Sequence, residues 1–105
     1  SSSINALVYI RGNAWDYDNW AAMGCPGWAY EDVLPYFKEV ENNELGAGPY
    51  HGTGGPLHVS NPESGNAAYE AFIQAGVELG YPRNADLNGE DHTGFRCESR
   101  HNKRG

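Results

Sequence analysis

Ser1-Ser2-Ser3-Ile4-Asn5 sets three hydroxyls and a carboxamide directly ahead of the apolar run Ala6-Leu7-Val8-Tyr9-Ile10. Small residues let backbone N–H groups approach an anion or a flat ring closely, and serine and asparagine add donors and acceptors. Such a stretch suits the holding of a ligand; equally, it reads as a polar turn before a buried strand. The other reactive side chains are scattered. His51, His58, His92 and His101 lack the paired His or Cys spacing of metal sites. His51 lies in a Tyr-His-Gly turn and reads as structural rather than catalytic. Asp86, Glu90 and Asp91 resemble a calcium loop only loosely, with the wrong spacing. Cys25 and Cys97 lie far apart, and reduced, unpaired thiols are expected for them.

The elements that must position these groups follow from periodicity and turn chemistry. Asn5 to Ile10 reads as a short buried strand ended by Gly12 and Asn13. Residues 14–23 suit a helix with Asp16 as N-cap and Gly24 as its stop, and their Trp and Tyr side chains are expected in the core. A second helix carries Glu31 and Asp32 in its first turn and an apolar face at Val33, Phe37 and Val40, widened by Leu34 and Tyr36. Pro35 should mark the start of a helical turn after a short 3₁₀ segment. Glu39, Glu41 and Glu44 are expected to face solvent. Leu45 to Gly55, with five glycines, reads as a surface loop and the boundary inside the chain. Pro56 to Ser60 alternates as a strand. Asn66 to Leu79 is the clearest helix, with Ala68, Phe72, Ala75 and Leu79 on one face beside Ile73 and Gly76. Asn84 to Gly94 is polar, with turn chemistry at Asp86-Leu87-Asn88-Gly89.

Ordered motifs tie these elements together. Ser-Ser-x-Ile-Asn-x-x-x-Tyr-x-x-Gly is followed by Arg11-Gly12-Asn13, Asp16-Tyr17-Asp18-Asn19-Trp20, Gly27-Trp28 and Asp32-Val33-Leu34-Pro35-Tyr36-Phe37. Then come Tyr50-His51-Gly52-Thr53-Gly54-Gly55-Pro56-Leu57 and Gly80-Tyr81-Pro82-Arg83-Asn84. Over roughly residues 1–95 the chain resembles the glucose-methanol-choline (GMC) oxidoreductases, in their bacterial alcohol and choline dehydrogenase branch. After Phe95 it departs from the family pattern, and no function is assigned to residues 96–105.

The resemblance implies an α+β fragment of a two-domain flavoenzyme, a Rossmann-like FAD-binding domain joined to a substrate-binding domain with an antiparallel sheet. Residues 1–45 would be the FAD-contacting segment and flavin lid with its helices. Residues 46–105 would be the loop and start of the substrate-binding domain. No Gly-x-Gly-x-x-Gly strand–loop–helix unit stands in the sequence to hold a pyrophosphate, so an internal piece, inactive alone, is expected. The implied reaction is oxidation of an aliphatic or choline-like alcohol by hydride transfer to flavin, with oxygen or a quinone as electron acceptor. Ser2, Asn5, Ala6, Leu7 and Val8 are the implied cofactor contacts. The catalytic base of the family lies downstream, so no residue here is assigned that role. Members that tether FAD covalently use a histidine just before the motif asparagine; Ile4 stands there, and non-covalent FAD is implied.

Composition bounds the partners. With 105 residues the chain has room for one small domain at most. Fourteen acidic against seven basic residues give a net charge of −7, which argues against nucleic acid as a partner. No apolar run reaches the length of a membrane span, which leaves membrane association of a longer protein open. Two other functions remain on the table. Trp15, Trp20 and Trp28 could belong to a non-enzymatic carbohydrate-binding module, and some GMC proteins are lyases that use flavin only structurally.

Overall fold

The computed structural model describes residues 7–61 and 65–96 together with the backbone of 100–101. Its elements in chain order are α1 (Ala14–Ala22), α2 (Tyr30–Val40), β1 (Glu41–Asn43), β2 (Leu57–Ser60), α3 (Ala67–Glu78) and β3 (Arg100–His101). The α+β class agrees with the sequence reading. The strands form one mixed sheet in the order β1-β2-β3, with β1 parallel and β3 antiparallel to β2. Strand β2 is therefore central. Its Val59 is fully buried.

The start of the chain differs from the expected strand. Residues 1–6 lie outside the described residues, and Leu7 to Ile10 form no continuous strand. Leu7 takes a left-handed backbone with φ of 62°. Helix α1 then begins two residues before the expected N-cap. Asn13 caps it, accepting from the Trp15 N–H at 3.0 Å, while the Asp16 carboxylate accepts from the Asn13 N–H at 2.9 Å. This reciprocal arrangement satisfies two end donors at once, so Asp16 is the far half of a capping box and not the cap itself. Gly24, with φ of 104°, stops the helix as expected.

Helix α2 runs unbroken through Pro35. The proline is exposed, so the carbonyl it leaves without an amide partner lies on the wet side of the helix. Its N-terminus borrows a cap from α1, since Asp18 Oδ1 accepts from the Tyr30 N–H at 2.9 Å. Tyr17 fills the space between the two helices, with ring centroids 5.4 Å from Trp20, 6.1 Å from Tyr30 and 5.7 Å from Phe37. Of the expected apolar face only Val33 is buried; Phe37 is half-buried, and Tyr36 and Val40 are exposed. The tryptophans correct the expectation of core packing, for Trp15, Trp20 and Trp28 are all exposed, Trp15 by 69%.

In α3, capped by Asn66 through the Ala68 N–H at 2.9 Å, the buried positions are Ile73 and Gly76. The stripe of Ala68, Phe72, Ala75 and Leu79 faces outward instead. Phe95 decides this. Its ring packs so close beneath Gly76 that a Cβ there would come to 2.7 Å, and it meets Phe72 and Tyr81 edge to face.

The glycine-rich stretch from 45 to 55 is more than a surface loop. It folds back onto β1, with the Asn43 N–H donating to Gly52 O at 3.0 Å and the Gly55 N–H to Glu41 O at 3.1 Å. Gly52 and Gly55 lie directly against the backbone at the end of α2. A methyl group on Gly52 would overlap the Lys38 carbonyl, whereas one on Gly48 would meet nothing within 4 Å. Gly52→Ala should therefore cost about 3 kcal/mol or more, as overpacking against rigid backbone does, while Gly48→Ala should stay within about 0.5 kcal/mol. Chemical denaturation of the two variants checks the contrast, and equal stabilities would contradict the packing described.

Candidate functional site

Ser2, Asn5 and Ala6 lie outside the described residues, and Leu7 and Val8 are half-buried at the edge of what is described. A side chain in the left-handed region costs roughly 1–2 kcal/mol, so Leu7 keeps its conformation only if its surroundings impose it. The surroundings are visible immediately downstream. Asn88, 3% exposed, donates its Nδ2–H to Tyr9 O at 3.1 Å and accepts from the Arg11 N–H at 2.8 Å. One carboxamide thus holds the backbone on both sides of Ile10, as a neighbouring strand would.

The Arg11 side chain enters the interior. Nη2 donates to Glu41 Oε2 at 2.6 Å, Nη1 to Tyr50 O at 2.5 Å and Nε to Tyr9 Oη at 3.4 Å. The guanidinium also stands 5.1 Å from the centroid of the Phe37 ring, a cation–π distance. Glu41 is completely buried, which overturns the expectation that it faces solvent. Helix α2 ends at Val40, so helical periodicity does not govern Glu41, and β1 turns it inward. Beyond Arg11 it accepts from the Asn43 Nδ2–H at 2.9 Å and from the Gly52 N–H at 3.2 Å.

His51 completes the arrangement. Nδ1 lies 3.0 Å from Glu41 Oε1, and Nε2 lies 2.5 Å from Asp86 Oδ2. Carboxylate oxygens only accept, so both ring nitrogens must carry protons and the side chain is an imidazolium. Its pKa accordingly rises to about 9, first through the Asp86 hydrogen bond and then through Glu41, against the opposing effect of burial. Burial pushes the Glu41 carboxyl up, but hydrogen bonds from His51 and Asn43 and the charge of Arg11 outweigh it and leave the pKa below the usual value. Asp86 follows the same pattern, its burial outweighed by His51, by the Asn88 N–H and by Arg96, whose Nη1 is 3.7 Å away. With the Asn88 N–H donating to Asp86 Oδ1 at 3.0 Å, the contacts close a ring: Arg11, Glu41, His51, Asp86, Asn88 and back to Arg11. His51 therefore has no free lone pair with which to act as a base.

Two clefts lie among the described residues. One, of about 400 Å³, lies along residues 82–93 with Tyr50 at its side, and it is bordered by Asp86, Glu90 and Asp91. The other, of about 420 Å³, lies between α1 and α2 and is lined by Tyr17, Gly27, Trp28, Val33, Tyr36 and Phe37. Trp20 and Trp28 meet there at 65°, edge to face, which gives a sugar ring no shared flat platform. Buried beside Arg11, the Tyr30 hydroxyl makes no hydrogen bond of full geometry, and burial raises its pKa. Cys25 is an exposed free thiol; Cys97 lies outside the described residues. Among the described residues no cluster of His, Cys, Asp and Glu is placed to hold a metal ion, and no helix is long and apolar enough to cross a membrane.

Comparison with known proteins adds the following. A family profile described as GMC oxidoreductase matches residues 1–105. The chain is 53% identical over 97 residues to an oxygen-dependent choline dehydrogenase of Stenotrophomonas maltophilia (strain K279a), covering 90% of this chain and 17% of that protein. Its counterpart in Pectobacterium carotovorum is 50% identical over 97 residues, with the same coverage. The chain thus spans about a sixth of the length of the curated relatives it matches. The crystal structure of pyridoxine 4-oxidase from Mesorbium loti superposes with a TM-score of 0.88 at 33% identity, covering 99% of this chain and 21% of that one. An FAD-dependent oxidoreductase from Chaetomium thermophilum follows at 0.71 and 37%, covering 81% of this chain and 17% of that one.

The ring has a definite pH signature. The raised His51 pKa contributes stability that is complete below the unfolded value of 6.5 and is lost as pH rises through about 9. The lowered Glu41 and Asp86 pKa values contribute stability that is present above their unfolded values of 4.5 and 3.8 and is lost on acidification. All three contributions coincide between about pH 4.5 and 6.5, where stability should peak. An NMR titration should find the His51 ring protons shifting near pH 9, and a midpoint near 6.5 would contradict the two-carboxylate geometry. Glu41→Gln leaves Arg11 buried without its counter-charge and His51 with Asp86 alone, and should cost about 3–5 kcal/mol. Glu70→Gln, at an ion pair with Arg83 that is more than half exposed, should cost under about 1 kcal/mol.

Proposed function

The chain belongs to the GMC oxidoreductase family, and on that premise we propose that it is part of an FAD-dependent enzyme that oxidises an alcohol, aliphatic or choline-like, to the aldehyde. The observation that carries this reading is the match to oxygen-dependent choline dehydrogenases over 90% of the chain. In the whole enzyme, residues 1–45 form the flavin-contacting segment and lid, and residues 46–105 open the substrate-binding domain. Together with a Rossmann-like domain outside this sequence they complete a two-domain flavoenzyme. Oxygen or a quinone takes the electrons.

The residues present fit a flavin in two respects. Ser2 and Asn5 offer short donors and acceptors, and Ala6, Leu7 and Val8 offer small or apolar contact to a flat ring. Leu7 also holds a strained left-handed backbone against an anchored neighbour, the kind of conformation that clusters at ligand sites. Ser2, Asn5, Ala6, Leu7 and Val8 are thus the residues that hold FAD. When bound, the flavin supplies the acceptor for the hydride removed from the alcohol carbon. Backbone N–H groups of the segment are then the donors available to the ring's negative charge. The apolar side chains exclude water from the face they cover. The hydroxyl proton goes to a base outside this chain, because His51 is already protonated and held at both nitrogens.

Binding is non-covalent in this reading, since Ile4 offers no nucleophile to the flavin and the free thiol of Cys25 lies beyond α1. Acid precipitation of the flavin-loaded enzyme should leave the flavin in the supernatant; a yellow pellet would refute this. Anaerobic addition of the alcohol should bleach the visible flavin band, an outcome that a lyase using flavin only structurally would not give. The 105-residue chain mixed with FAD should show no alcohol-dependent dye reduction.

A further inference from the structure

We infer that the closed ring of Arg11, Glu41, His51, Asp86 and Asn88 is a positioning device for the flavin-contacting segment, with Asn88 as the residue that transmits it. The inference rests on the reading that Ser2 to Val8 touch the cofactor, and it goes beyond that reading by naming what holds the main chain directly after them, at Tyr9 and Arg11.

Three observations carry it. First, the ring is anchored twice on Arg11, through the guanidinium to Glu41 and through the backbone N–H to Asn88. A residue held at both its side chain and its main chain can neither rotate nor slide. Second, the same carboxamide takes Tyr9 O, so the backbone is fixed from position 9 to position 11, directly after the left-handed Leu7 and Val8. Third, every link is a pair with charge or strong polarity, two of the five being buried and three part-buried: the Arg11 and Glu41 side chains are 1% and 0% exposed, and that of His51 is 16% exposed. Charge-assisted hydrogen bonds in such surroundings are short and directional, and a ring of them permits one geometry.

Apolar packing could have filled the same volume. Replacing buried ion pairs by apolar groups is often neutral or favourable for stability, so the ring is poorly explained as a stabiliser alone. What apolar side chains do not supply is direction. Asn88 matters most because it is the only member that bonds the main chain after that segment on both sides of a residue, Ile10, while its own backbone N–H is held by Asp86. Groups charged toward His51 come from three places: Glu41 on β1, Asp86 in the loop after α3, and Arg96 behind Asp86.

The test uses the flavin-loaded enzyme that contains this chain, with three substitutions read by FAD dissociation constant, by the visible circular dichroism of the bound flavin and by far-ultraviolet circular dichroism as a control for folding. Asn5→Ala probes the contact itself. Asn88→Ala removes the clamp, and His51→Gln removes the imidazolium with both of its charged links while keeping polarity. With the fold intact, Asn5→Ala and Asn88→Ala should each weaken FAD binding by roughly tenfold, the equivalent of one buried hydrogen bond. Asn88→Ala and His51→Gln should both change the flavin's visible dichroism, which a purely structural role would leave alone. If Asn88→Ala fails to fold, His51→Gln decides by the same two readouts. A weakened Asn5→Ala with unchanged Asn88→Ala and His51→Gln would overturn the positioning role and keep the contact reading. No effect in Asn5→Ala would overturn both.

Discussion

Everything described here turns on one buried carboxylate. Glu41 has no exposed surface, and burying an ionised carboxyl without compensation would cost more than a domain of this size can supply. Compensation comes from the Arg11 guanidinium, the His51 imidazolium, the Asn43 amide and the Gly52 N–H. They bring three parts of the chain to one point: the stretch before α1, the end of β1, and the glycine-rich loop. Asp86 then balances the second cation and draws in the loop after α3. Two cations face two anions, so the interior group is neutral as a whole while remaining strongly directional.

This polar interior stands where an apolar one is thin. Among the described residues only Val33, Val59 and Ile73 are buried apolar side chains, while Trp15, Met23, Tyr36 and Phe72 are exposed. The aromatic rings between α1 and α2 pack against each other edge to face, which orders the helices without hiding the rings from water. Segments that share few apolar contacts must be held by something else, and here that is hydrogen bonding across long separations in sequence.

Local signals were legible in the sequence wherever the deciding contacts are local. Helix α3 and its Asn66 start, strand β2 and the Gly24 stop all follow from residues within a turn of one another. The reading of His51 as structural rested on the family resemblance as well as on its turn, and its two partners were not foreseen. Glu41 was misread because three glutamates in six positions look like a wet helix face, and nothing nearby says that the helix ends at Val40. Its partners lie 30 residues before it and 10 after it. Asp16 was taken for a cap because Asn13 stands just ahead of it and a capping box uses both. The outward face of α3 was misjudged because Phe95, which selects Ile73 and Gly76 for burial, comes from far along the chain. A sequence shows which residues can bury; it does not show which neighbour arrives to cover them.

The bond between Arg11 and Asn88 spans 77 positions. Closing a loop of that size costs about 4 kcal/mol of chain entropy, a charge that falls on the folding route before any of the ring's bonds can form together. It also sets an order in time. At usual rates of synthesis roughly 4–15 s separate the two residues on a growing polypeptide. For that interval Arg11 has been made, and Glu41 follows within it, yet the clamp on the main chain does not exist. The stretch that precedes α1 is therefore among the last parts of the chain to acquire its native geometry, although it is made before the residues that clamp it.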